Sequence, residues 1–120
     1  MEKIFHRKLI RDNVPGKIRE AGATFETRIL DEKEFKEELL KKLGEETAEL
    51  QNAPSKEGMV AELADVLAVI DEIKRAFTIS DAELSEARRL NVGTKGGFKG
   101  RFFLEWSEDA DNKSSKNNPE

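Results

Sequence analysis

The chain has no cysteine, and among its 120 residues His6 is the single histidine. Without cysteine there can be no disulfide framework, no thiolate metal site and no thiol nucleophile. That composition fits a reducing cytoplasm. No apolar run approaches the length that spans a bilayer, and the first residues lack the apolar core of a signal peptide. A cytoplasmic protein with no membrane partner is therefore expected. Basic residues are too few, and the centre of the chain too acidic, for nucleic acid to be the expected partner.

What is present is charge. With 38% charged and 37% hydrophobic residues, the chain has the make-up of one folded helical domain rather than of a disordered segment. The net charge of −4 hides a segregation. Residues 31–72 carry 13 acids and 5 bases, a balance of 5 − 13 = −8, whereas residues 88–101 carry Arg88, Arg89, Lys95, Lys99 and Arg101 and no acid. The first 20 residues add six bases against three acids. An acidic middle between basic ends suits a cation and a polyanion held together, or else an ordinary solvated helix surface.

Local signals divide the chain into helices. Asp12 or Asn13 is placed to cap a short helix with Pro15 in its first turn, ending near Gly22. Phe25, Thr27 and Ile29 alternate with Thr24, Glu26 and Arg28, which predicts a brief extended segment over 24–30. Asp31 and Glu34 open a long helix running to about Asn52. Ala53-Pro54-Ser55 interrupts it, and Ser55 caps a second long helix from about 56 to Phe77. Ser80 with Glu83 opens a third, to about Asn91. Lys95-Gly96-Gly97-Phe98 reads as a turn, and Arg101–Trp106 as extended chain or a last helical turn. The fold class expected is all-α, an antiparallel helical bundle over 1–106 as one domain, with 107–120 as a disordered tail.

The chemistry lies in acids that fall on the apolar side of the two long helices. At about 100° per residue, Phe35, Leu39, Leu43 and Leu50 define the stripe of the first, and Glu46 falls inside it. Glu49 lies at its edge, one turn along. Met59, Leu63, Val66, Ile70, Ile73 and Phe77 define the stripe of the second. Glu62 projects between Val66, Val69 and Ile73, with Asp65 beside it. A carboxylate that faces a core carries a desolvation cost of several kcal/mol unless something offsets it. Two such pairs, on helices joined by a short connection, should face each other and raise one another's pKa values. The bases of this stretch, Lys33, Lys36, Lys41, Lys42 and Lys56, mostly fall elsewhere on the wheels. A hard dication bound by oxygen ligands, Mg²⁺ or Mn²⁺, relieves the conflict. The alternative is that the acids reach outward to water. A di-iron carboxylate bundle also uses inward glutamates, but its Glu-x-x-His pairs are absent.

Glu45-Glu46-Thr47-Ala48-Glu49 followed by Glu62-Leu63-Ala64-Asp65 resembles the EExxE…ExxD signature of the all-α nucleotide pyrophosphohydrolases, the MazG-like superfamily. Lys8-Leu9-Ile10-Arg11-Asp12, with Pro15 after it, is similar to the KLVRDKIP opening of the phosphoribosyl-ATP pyrophosphohydrolase-like group. Lys95-Gly96-Gly97-Phe98 with Arg101-Phe102-Phe103-Leu104-Glu105 resembles the RGGFxxRIxLE close of that group. The likeness spans roughly residues 1–106. It departs at Asn13, where lysine is usual, and at Gly16, where an acidic or apolar residue is usual.

The resemblance implies a magnesium-dependent hydrolase that converts a nucleoside triphosphate and water to the monophosphate and pyrophosphate, with Glu46, Glu49, Glu62 and Asp65 as metal ligands. Removal of non-canonical nucleotides and hydrolysis of phosphoribosyl-ATP are both within that class; a non-catalytic nucleotide-binding module lies outside it. Glu45 is the candidate to position or deprotonate the attacking water, or is a solvated surface acid. Lys8, Arg11 and Lys95 are candidates for the phosphates, and Gly96 and Gly97 either admit a phosphate to the backbone or form a plain turn. Phe98 can stack on a base. Phe5, Phe102, Phe103 and Trp106 read with it as packing or a subunit interface, and His6 as surface. The family resemblance and a thin core together imply a homodimer or higher homo-oligomer.

Overall fold

The structure is a computed structural model that describes residues 2–109. It is all-helical: α1 spans Val14–Glu20, α2 Glu32–Gln51, α3 Lys56–Ala76 and α4 Asp81–Lys95. No strand occurs among the described residues. The segments 24–30 and 101–106, expected to be extended or a further helical turn, are neither helix nor sheet strand, since alternation alone supplies no neighbouring strand to pair with. Residues 107–109 of the expected tail have no regular secondary structure, and 110–120 lie outside the described residues.

The helix starts follow their caps. The Asp31 side chain accepts from the Glu34 amide at 2.9 Å, and Ser55 Oγ from the Gly58 amide at 3.1 Å, so each satisfies one orphan donor of a first turn. Ser80 and Glu83 form a reciprocal capping box. Asn13 occupies the cap position of α1, but its side chain makes no capping bond. Helix α1 ends in a Schellman motif: the Ala23 amide donates to the Ile18 carbonyl, the Gly22 amide to that of Arg19, and Gly22 takes φ +82°. The end of α3 repeats this, with Ile79 donating to Lys74 and Thr78 to Arg75. There the left-handed position is filled by Thr78, at φ +55°.

The described chain groups into two compact units that divide at Ser80. In the first, α2 and α3 are the helices that pack on each other. Their four-residue connection, 52–55, makes them antiparallel. Leu39 is the buried apolar residue of the described chain, at 4% exposure. Met59, Leu63 and Phe77, expected in the core stripe of α3, are instead exposed. For Leu63 the reason is geometric. The face of α3 turned to α2 carries Glu62, Val66, Val69 and Ile73. Leu63, Leu67 and Val60 lie about 100–160° further round, beyond the reach of a single neighbour. In the second unit α4 runs one turn past the expected end at Asn91, to Lys95. One interior glycine, Gly93, costs about 1 kcal/mol in a helix, too little to stop it. The helix stops at Gly96, whose φ of +76° and ψ of −162° belong to a region open essentially to glycine alone.

Candidate functional site

The antiparallel register decides which acids meet. Glu46 stands six residues before the connection and Glu62 seven residues after it, so both lie about 9–10 Å from it along their helices. They are level. Glu49 is one turn nearer the connection on α2, and Asp65 one turn further away on α3. The two i, i+3 pairs thus overlap at Glu46 and Glu62, with Glu49 one turn to one side and Asp65 one turn to the other. The structure brings three of the four together: single carboxylate oxygens of Glu46, Glu49 and Glu62 all lie within 4.8 Å of one another.

Burial is graded across the cluster. Glu46 is the most enclosed, at 8% exposure. Glu62 is intermediate and Glu49 exposed. Oε2 of Glu46 and Oε2 of Glu62 are buried and have no hydrogen-bond partner. Two unpartnered carboxylate oxygens at the centre of a helical hairpin are the kind of orphan that calls for an explanation, an ion being one. Burial, and after it the neighbouring Glu49 charge, holds Glu46 above the ordinary carboxylate value; Asp65 adds to this and Lys42 opposes it. Burial likewise raises Glu62, reinforced by the neighbouring carboxylates of Glu49, Asp65 and Glu46. All of these are effects a bound dication would reverse.

Two basic groups attend the cluster. Lys42 Nζ is 3.6 Å from Glu46 Oε1, with both side chains largely enclosed. Lys42 is an exception to the expectation that these bases mostly fall elsewhere, and i, i+4 spacing on one helix is a local signal that could have found it. Arg11 Nη1 is 3.2 Å from Asp65 Oδ1 across 54 positions of sequence, a contact no local pattern could foretell. Asp65 is therefore held at the edge of the cluster by an arginine expected to serve phosphate. Lys8 and Glu45 are exposed, as is His6.

The remaining expected residues, Lys95, Gly96 and Gly97, are at the C-terminal end of α4 in the second unit. For Gly96 the helix stop is reason enough, and its neighbourhood is open. Phe98, Phe102, Phe103 and Trp106 are 77–98% exposed, and Phe5 lies under Arg7, 5.1 Å from ring centre to guanidinium carbon. A shallow groove of about 510 Å³, lined by Leu40, Phe77 and the stem of Lys36 among others, shares no residue with the carboxylates.

The donor set fits a hard dication. It is all oxygen, it carries several negative charges, and its inner oxygens lack other partners, whereas zinc or copper would call for nitrogen or sulfur. None of the helices is long and apolar enough to cross a membrane among the described residues. Compared with family models, with curated proteins and with solved structures, the chain matches none.

Proposed function

We propose that the chain is a Mg²⁺-dependent nucleoside triphosphate pyrophosphohydrolase that releases a nucleoside monophosphate and pyrophosphate. The observation that carries this reading is the meeting of Glu46, Glu49 and Glu62 with two buried oxygens left unpartnered. The resemblance of the EExxE…ExxD, KLIRD and KGGF blocks to the MazG-like superfamily supplies the reaction. Phosphoribosyl-ATP is an alternative substrate in the same class.

Glu46, Glu49 and Glu62 would hold the ion, with Asp65 as the fourth ligand once free of Arg11. Bound Mg²⁺ supplies charge neutralisation of the phosphate oxygens and a water of lowered pKa. Cleavage between the α and β phosphates needs no covalent nucleophile, which agrees with the absence of cysteine and with a lone exposed histidine. The exposed Glu45 carboxylate would orient the attacking water and accept its proton. Lys8 and Arg11 neutralise the β and γ phosphates. The assignment of Lys95, Gly96 and Gly97 to phosphate rests on the resemblance alone.

The working form is a homodimer. Val60, Leu63 and Leu67 are spaced i, i+3, i+7 along α3 and are 44–59% exposed. A helix apolar over more than half its circumference is normally covered on both apolar faces.

The test is a panel of ribo- and deoxynucleotides assayed for pyrophosphate release with Mg²⁺ and with EDTA. Release that requires the ion and disappears in Glu62→Gln supports the reading. A Glu62→Gln protein that keeps wild-type turnover removes the metal assignment, and nucleotide binding without release by the wild type would assign a sensor instead.

A further inference from the structure

Arg11 links the N-terminal segment to the edge of the carboxylate cluster, and the character of that link is informative. The pair it forms with Asp65, at 3.2 Å, leaves the two side chains 71% and 41% exposed. A single-contact ion pair in that setting is weak and readily exchanged. The inner oxygens are in the opposite state: buried and without partners at Glu46 Oε2 and Glu62 Oε2. One guanidinium therefore pairs with Asp65 and leaves the buried Oε2 atoms of Glu46 and Glu62 uncompensated, apart from Lys42 at 3.6 Å from Glu46 Oε1. The Arg11 backbone is fixed independently, because its carbonyl accepts from the Val14 amide at 3.0 Å at the start of α1. The side chain can leave Asp65 without any rearrangement of the main chain.

We propose that Arg11 is an internal competitor of the divalent cation for Asp65: it occupies the fourth carboxylate in the cation-free protein and is displaced when the ion binds. The inference rests on the carboxylate centre described under Proposed function. It adds that the affinity of that centre is deliberately limited by an arginine from outside the helical hairpin. Displacement exchanges a monovalent, exposed partner of Asp65 for a divalent one shared with three glutamates. It also releases a guanidinium at the edge of the ion site, with its five donors free for an anionic oxygen.

The experiment is a calorimetric titration of the metal-free protein with Mn²⁺ and with Mg²⁺, using wild type, Arg11→Ala, Asp65→Asn, the double variant and Glu62→Gln. Removal of a competing exposed ion pair should tighten cation binding by Arg11→Ala about two- to fivefold. In the Asp65→Asn background the same arginine substitution should have no effect, since there is nothing left to compete for. Arg11→Lys, which restores a cation, should return towards wild-type affinity. Binding by Arg11→Ala that is equal to or weaker than wild type overturns the competition. So does a gain of the same size in the Asp65→Asn background, which would make Arg11 a distant charge only. The underlying centre fails separately: if wild type and Glu62→Gln bind the cations alike, the ion is not held by these glutamates. Circular dichroism of each variant checks that the fold is retained.

Discussion

Substitution of Glu46 by methionine should stabilise the metal-free protein and destroy its response to Mg²⁺. Glu46 is 8% exposed, with Oε2 buried and unpartnered. A buried polar atom without a partner costs about 1–3 kcal/mol, and methionine, of similar length, removes it without opening a cavity. The loss of the Lys42 contact at 3.6 Å offsets about 1 kcal/mol of this, and Lys42 can extend its ammonium to water. The net gain is about 0–2 kcal/mol, with Tm rising by about 4–8 °C per kcal/mol for a domain of this size. The effect depends on pH in a defined direction. Burial raises Glu46 above its ordinary value of 4.5. A group whose folded pKa is raised contributes stability that is complete below its unfolded pKa and is lost as pH rises through the folded one. The stability that Glu46 contributes should thus fall from just above pH 4.5 upward, and the advantage of Glu46→Met over wild type should shrink below that value.

Magnesium inverts the order. A ligand at a hundred times its Kd adds about 2.7 kcal/mol to the state that binds it, more than the advantage worked out for the variant. Thermal melts at neutral pH, with EDTA and then with millimolar Mg²⁺, read both effects. Wild type should melt below Glu46→Met in EDTA and above it in Mg²⁺. A variant that melts lower than wild type in EDTA refutes the view that the buried carboxylate is a liability in the absence of an ion. An order unchanged by Mg²⁺ refutes the view that a cation is what relieves it.

Two further outcomes follow from the same coordinates. Thr78 holds the left-handed position of the α3 Schellman motif at φ +55°, at a cost of about 1–2 kcal/mol for a side-chain-bearing residue. Thr78→Gly removes that strain and adds back some backbone entropy, so urea unfolding should show a gain of about 0.5–1 kcal/mol, and no gain would mean the strain is absent. Leu67→Lys, on the exposed stripe of α3, should convert the dimer to monomer by light scattering with helicity intact; a wild type already monomeric at micromolar concentration contradicts the dimer.

The helices were legible because their signals are local. Asp31, Ser55 and Ser80 each announce a start within four residues, and Gly22 and Gly96 mark stops that need φ > 0. What misled was equally physical. The Asn91-Val92-Gly93 run reads as a poor helix, yet α4 continues, and within that added turn Thr94 Oγ1 bonds back to the Leu90 carbonyl at 2.9 Å. Helix α3 carries apolar residues over so wide an arc that periodicity could not say which stripe, Val66–Val69–Ile73 or Val60–Leu63–Leu67, would meet α2. At the site, the wheels placed Glu46 and Glu62 inward, and the structure agrees. The wheels carry no information on height, and height separates Asp65 from the other acids. The Arg11 contact lies wholly outside what a local pattern encodes.

Height and burial together give the cluster an inside and an outside. Glu46 and Glu62 sit level, on long helices with a short connection close by, so their spacing is set by backbone rather than by flexible side-chain choice. That is the condition for holding a small cation tightly. Around them Glu45, Glu49 and Arg11 are exposed and Asp65 is half-buried, and an exposed charge exchanges partners at little cost. The fixed oxygens therefore suit a resident ion, and the exposed ring suits a ligand that must arrive and leave, such as a phosphate and the water that attacks it. A purely structural acidic patch would need no such gradient, and it would not strand its two best-buried oxygens without a partner.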